Sequence, residues 1–199
     1  MATRGFTGRR PGAEEAKRLP PGQSKTEGFP VLSMGPTPRV APGSWSFSIT
    51  HGGQRLVRWS WDEFEKLPRT PWRGDIHCVT KWTKLDTPWK GVSVDTILDG
   101  VETAAEFVMA FSYGGYTTNL PLEDITGGKA WVAYEFDGQP LHPEHGGPAR
   151  LLVPHLYFWK SAKWVQGLRL VNENQPGFWE SNGYNMYGDP WREQRYWGD

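Results

Sequence analysis

"WSFSITHGGQRLVRWS", Trp45 to Ser60, sets Trp45, Phe47 and Ile49 between serines, turns through His51-Gly52-Gly53 and resumes as RLVRWS. Alternation of apolar and polar residues is the period of a strand with one buried face, and glycine accepts the positive φ of a tight turn without steric cost. The stretch therefore predicts two short strands. A short helix follows, because Ser60 and Glu63 stand at capping-box spacing and Trp61, Phe64 and Leu67 form a helical stripe that Pro68 ends.

The same texture runs downstream. DIHCVTKW (Asp75 to Trp82) reads as a strand with Ile76, Cys78 and Thr80 on one face and His77, Val79 and Lys81 on the other. SVDTIL (Ser93 to Leu98) reads as a short capped helix, and EFVMAFS (Glu106 to Ser112) as a strand. AWVAYEF ends at Asp137-Gly138, a strong turn signal, and ARLLVP and AKWVQGLRLV supply the remaining strands. Many short strands with a few short helices and no repeat predict an α+β fold in which β dominates.

Residues 1–43 differ: Arg4, Arg9, Arg10, Lys17, Arg18, Lys25 and Arg39 stand against Glu14, Glu15 and Glu27, with Gly and Pro throughout. Such a segment buries too little apolar area to offset its ordering entropy, so it is expected as a mildly basic arm, wrapped on the domain or mobile. Residues 44–199 then form one domain, as a chain of 199 residues allows.

Lys plus Arg number 22 and Asp plus Glu 22, so the summed charge gives no reason to expect a nucleic-acid partner. No window has the apolar length of a membrane span. Arg9-Arg10 is followed by charges and prolines where an export signal needs an apolar run, and a cytoplasmic location is the expectation.

One cysteine excludes an internal disulfide framework. A lone Cys in a strand is ordinarily inert packing, and strand alternation would point His77 and Lys81 away from the Cys78 thiol. His142 and His145 have a zinc-like spacing in a Pro/Gly-rich turn, without a third ligand nearby. In HGGPARLLVPHLYFWKSAKW (His145 to Trp164), Arg150, Lys160, Ser161 and Lys163 combine a planar donor fork, mobile cations and a hydroxyl, a set that suits phosphate. The competing reading is a solvated basic face.

Taken in order, DIHCVTKWTKLDTPWKGVSVDTIL (Asp75 to Leu98), GGYTTNLPLEDI (Gly114 to Ile125) and HGGPARLLVPHLYFWKSAKWV (His145 to Val165) resemble the sulfite-oxidase-like molybdopterin oxidoreductases. The likeness is to small soluble bacterial members without haem or dimerisation domains, and it runs from about Phe29 to the C-terminus. It implies a mixed, β-rich sulfite-oxidase fold around molybdenum held by a molybdopterin dithiolene, with Cys78 as the protein ligand to the metal. A soft thiolate suits such a metal, and the other sulfurs would belong to the cofactor.

The resemblance further implies that His145 contacts the pterin, that Arg150 binds its phosphate region, and that Ser161, Ala162 and Lys163 hold the cofactor by backbone and lysine. Ser112 falls at a pterin-contacting position. Tyr184, five residues after Trp179, aligns with an active-site tyrosine that would hydrogen-bond an oxo group or the substrate.

Sulfite oxidases place an arginine five residues after the cysteine; this chain has Thr83 there, and Met34 and Gly35 stand where another arginine is expected. Fewer fixed cations favour a neutral substrate over sulfite. With no haem or flavin motif, electrons are expected to pass to or from a separate partner protein. The alternative is a non-catalytic sulfite-oxidase-like binding module that presents its aromatic C-terminal surface.

Overall fold

The computed structural model of the protein describes residues 12–199; Arg4 and the Arg9-Arg10 pair lie outside them. In chain order the elements are α1 (Ala13–Lys17), β1 (Ser24–Lys25), β2 (Ser46–His51), β3 (Gln54–Ser60), α2 (Trp61–Phe64), β4 (Thr70–His77), β5 (Trp82–Ser93) and α3 (Val94–Leu98). Then come β6 (Phe107–Ser112), β7 (Thr117–Pro121), β8 (Trp131–Phe136), β9 (Gln139–Pro140), β10 (Arg150–Leu152), β11 (Val165–Val171) and α4 (Phe178–Ser181). The predicted α+β class with β dominant is the class observed.

The strands form two sheets. One runs β1-β5-β8-β10, with β4 also paired to β5 and β9 to β8; the other runs β3-β2-β11-β6-β7. In the second sheet β11 lies parallel to β2 and antiparallel to β6. The alternation in the opening stretch explains the burial: Trp45, Phe47 and Ile49 are core residues, while β3 stays half exposed. Gly167 is required where β11 meets β2, since a Cβ there would sit 2.3 Å from the Ser48 carbonyl oxygen. Ser60 caps α2 as predicted, accepting from the Glu63 amide while the Glu63 carboxylate takes the Ser60 N–H.

Asp75–Trp82 departs from its expected reading. β4 stops at His77, and Cys78 opens a hairpin turn closed by Cys78 N–H to Trp82 O (2.8 Å) and Lys81 N–H to Cys78 O (3.0 Å), with Lys81 at φ 71°. Antiparallel pairing of β4 with β5 requires that reversal and overrides the β-propensity of Val79 and Thr80. The two-face assignment fails there. Cys78 Sγ meets Thr80 Oγ1 at 3.1 Å, while His77 turns to Thr83.

Lys160 also departs from the phosphate set. It is fully buried, paired with the buried Glu180 at 2.6 Å, and donates to Asn119 O, Asn119 Oδ1 and Met186 O. Glu180 Oε1 further accepts from Thr118 Oγ1 and Trp159 Nε1, so this ion pair fastens α4 against β7 and Trp159. Glu180→Ala would strand a buried ammonium and is expected to cost about 3–5 kcal/mol, read by chemical denaturation. A Lys160→Met/Glu180→Leu double variant should recover only part of that loss: the apolar pair needs no desolvation, but Asn119, Met186, Thr118 and Trp159 lose the partners they had.

Residues 12–43 run along the β4–β5 hairpin and on to Trp45. β1 pairs parallel with β5, matching Ser24 with Trp82 and Lys25 with Thr83. Arg18 bridges both Asp75 and Asp86 across the hairpin. The arm thus reaches the turn that carries Cys78.

Candidate active site

Beside that turn lies a mainly apolar cavity of about 490 Å³. Six of the residues singled out from the sequence line it: Cys78, His145, Arg150, Ser161, Lys163 and Tyr184. Four separate regions bring them together. Ser112 and Ala162 do not line it: Ser112 is buried with its hydroxyl unpartnered among the described residues, and Ala162 packs into the core with its carbonyl bonded to Leu151 N–H.

At one end Cys78 is buried among Val79, Tyr157 and Trp159, with Trp82, Trp179 and Tyr184 against the cluster. Burial pushes its thiol up, while the Thr80 hydroxyl, the Val79 and Thr80 amides and the Arg150 charge oppose that. Tyr184 stacks on Trp179 at 4.9 Å between ring centroids and meets Trp159 edge-on at 5.1 Å. These rings orient a phenol whose hydroxyl makes no hydrogen bond among the described residues. Burial raises that phenol's pKa, so it stands as a donor.

Arg150 dominates the other end. It is 1% exposed, spans Phe158 at 3.9 Å, and donates to His145 O (2.8 Å) and Ser161 O (2.5 Å). No carboxylate among the described residues pairs with it, and burial draws it down to about 9, leaving it charged at neutral pH. Lys163 stands nearby, donating to Leu32 O (2.7 Å) and Glu144 O (2.6 Å). A buried cation without a counter-charge is costly unless a ligand supplies one.

Backbone shape completes this end. Gly147 fits only because it lacks a Cβ, which would sit 2.0 Å from Leu141 O, and Gly146 holds φ 110° against Lys163. His145 Nδ1 is buried with no partner among the described residues, and desolvation aided by Arg150 and Lys163 lowers this histidine to about 4, hence neutral. Ser161 Oγ accepts from Val153 N–H and so braces the strand end. The zinc reading of His142 and His145 has no support: among the described residues no three His, Cys, Asp or Glu side chains converge on a metal-sized site.

The arm contributes what the sequence pattern left unmarked. Phe29 stacks on His145 at 3.9 Å and 9° between ring planes, and Leu32 to Pro36 and Pro38 line the cavity, Met34 and Gly35 among them. An aromatic residue, Phe29, in an otherwise polar stretch of the arm was the available signal. Thr83 is fully buried and bonded to His77 Nδ1 at 2.9 Å, so no cation occupies that place.

The residues present fit a molybdenum-pterin group. Arg150 and Lys163 suit an anion, His145 Nδ1 suits a polar partner, and one buried soft thiol, Cys78, lines the same cavity. A single protein sulfur suffices when the remaining donors belong to the cofactor.

Residues 34–179 match the family described as oxidoreductase molybdopterin binding domain. The chain is 43% identical over 190 residues to the uncharacterized oxidoreductase YuiH of Bacillus subtilis, covering 94% of this chain and 96% of that protein. It is 25% identical over 170 residues to the protein-methionine-sulfoxide reductase catalytic subunit MsrP of Gluconobacter oxydans, covering 74% of this chain and 53% of the relative. Sulfane dehydrogenase SoxCD from Paracoccus pantotrophus shares the fold, with TM-score 0.61 and 17% identity over 87% of this chain and 56% of the other.

Proposed function

The chain belongs to the sulfite-oxidase-like oxidoreductases with a molybdopterin-binding domain, and from that premise we propose that it binds molybdenum-molybdopterin and carries out a two-electron reaction, oxygen-atom transfer to or from a small neutral sulfur-containing or other oxo substrate. The observation that carries this reading is Arg150, a buried cation lining a cavity with no carboxylate to answer it among the described residues. When bound, the cofactor supplies the change of redox state and the exchange of oxygen.

The protein's part is to hold and orient. Arg150 and Lys163 would grip the cofactor's anionic end, with the carbonyls of His145 and Ser161 fixing the guanidinium plane. His145, neutral and stacked on Phe29, would contact the pterin through a ring nitrogen that has no partner among the described residues. Cys78 is the residue that would hold the metal, and its thiol would be bound as the thiolate despite burial. Trp159 and Trp179 exclude water around Tyr184, whose hydroxyl donates to the substrate oxygen.

A neutral substrate follows from the charges. Arg150 and Lys163 are the arginine and lysine that line the cavity, both committed to the cofactor, and Thr83 is neutral. A dianion would stand there without a counter-charge. No helix among the described residues is long and apolar enough to cross a membrane. A separate redox protein supplies or removes electrons, in keeping with the name "catalytic subunit" carried by the methionine-sulfoxide reductase relative.

The test is turnover of molybdenum-loaded protein with a redox dye across sulfoxides, N-oxides and sulfite. Neutral oxo compounds should turn over with sulfite weakest; silence across the panel from loaded protein would favour a non-catalytic module. Tyr184→Phe should leave molybdenum content unchanged and lower turnover about ten-fold or more, since it removes one donor to developing charge. Loss of metal in that variant would give Tyr184 a structural role instead.

A further inference from the structure

We propose that Gln23, in the arm, is a positioning residue for Cys78, fixing the backbone of the cysteine and so the direction in which its sulfur enters the cavity. Gln23 Nε2 donates to Cys78 O at 3.1 Å, the carbonyl that also closes the turn by accepting from Lys81 N–H. On its other side, Thr83 Oγ1 donates to Gln23 Oε1 at 3.5 Å, and the same hydroxyl bonds His77 Nδ1 at 2.9 Å. The polar chain runs His77, Thr83, Gln23, Cys78 carbonyl. It encloses the turn from the residue before the cysteine to the residue after Trp82.

Gln23 is itself held on both flanks. Arg195, largely buried, donates to Pro21 O at 3.1 Å, and Gly22 sits at φ 70° against Glu193 and Arg195. Immediately after it, Ser24 N–H bonds Lys81 O and Thr26 N–H bonds Thr83 O, each at 2.9 Å. Arg18, bridging Asp75 and Asp86, fixes the arm to the hairpin further back. A side chain anchored this way loses little entropy on making its bond, which suits it to orienting another group.

The geometry also accounts for Thr83. Its hydroxyl bonds His77 Nδ1 and donates to Gln23 Oε1, so the space beside the cysteine is closed by a hydrogen-bonded circuit of His77, Thr83 and Gln23. The arm and the residue five places after the cysteine therefore act as one unit.

This inference rests on Cys78 as the metal ligand, but one arm of its test does not. Cys78 is the sole cysteine, so alkylation of the cofactor-free full-length chain by iodoacetamide at fixed pH reads that turn alone. Gln23→Met, similar in length but without donor or acceptor, should raise the rate about five-fold, as expected when one hydrogen bond against local opening is lost. Gln23→Glu keeps the length, sets an acceptor against the Cys78 carbonyl, and should do the same. Thr83→Val removes the links to His77 and to Gln23 Oε1 but keeps the Gln23 bond to the Cys78 carbonyl, so it should give a smaller rise, which keeps the test available if a Gln23 variant fails to fold.

In molybdenum-loaded protein, the Gln23 variants should shift the Mo(V) electron paramagnetic resonance signature, a readout that a mere tether would not move. Wild-type alkylation rates in both Gln23 variants, or an unchanged spectrum despite faster alkylation, overturn the proposal. Faster alkylation in a protein that never carries molybdenum would sink the functional reading and leave Gln23 holding the turn.

Discussion

Cys78→Ser is expected to abolish turnover, by at least about a hundred-fold, while leaving pterin bound. Loss of an outer partner to a ligand already costs ten- to a hundred-fold in metal sites, and here the ligand itself changes from a soft thiolate to a hard hydroxyl. Pterin retention follows from the distribution of contacts: Arg150, Lys163 and His145 lie in other segments and do not depend on the sulfur. Dye-linked turnover and pterin fluorescence after release, measured on the same preparation, separate the two effects. Wild-type turnover in Cys78→Ser would remove the cysteine from the metal.

Arg150→Met should act in the opposite way, removing the cofactor and leaving the turn at Cys78 intact. Two charge-assisted hydrogen bonds, at about 1.5–3 kcal/mol each, place the loss of cofactor affinity at a hundred-fold or more. Arg150→Lys should keep part of it, since one mobile ammonium replaces a fixed fork. Melting temperature provides the readout, because a ligand that binds only the folded chain stabilises it. The gap between loaded and cofactor-free wild type should collapse in Arg150→Met. A preserved gap would move the anion site away from Arg150.

The sheets were legible where burial was one-sided. Trp45, Phe47 and Ile49 in β2, and the turns at Gly52-Gly53 and Asp137-Gly138, follow from local pattern, as does the capping box at Ser60. At Cys78 the local pattern misled. Val79 and Thr80 favour a strand, but β5 must return beside β4, and that long-range pairing sets the chain reversal at Lys81. Lys160 misled for a related reason: its carboxylate partner, Glu180, lies on another element, so a buried ion pair looks in sequence like one more basic residue.

The site was legible in its motif residues and not in its walls. Cys78, His145, Arg150, Ser161, Lys163 and Tyr184 meet around one cavity, whereas Ser112 and Ala162 stand behind it. The arm carried no periodicity from which its docking could be read. Its two-residue strand and its ion pairs to Asp75 and Asp86 depend on a hairpin about sixty residues away. Phe29, Leu32 and Gln23 gain their meaning only once that hairpin exists.

Elemental and pterin analysis of the wild-type protein, purified from cells able to make molybdopterin, bears most directly on the central claim. Molybdenum and a fluorescent pterin should copurify with the chain in matching amounts, and both should fall together in Arg150→Met. Protein that emerges from such cells folded but without molybdenum or pterin would contradict the claim.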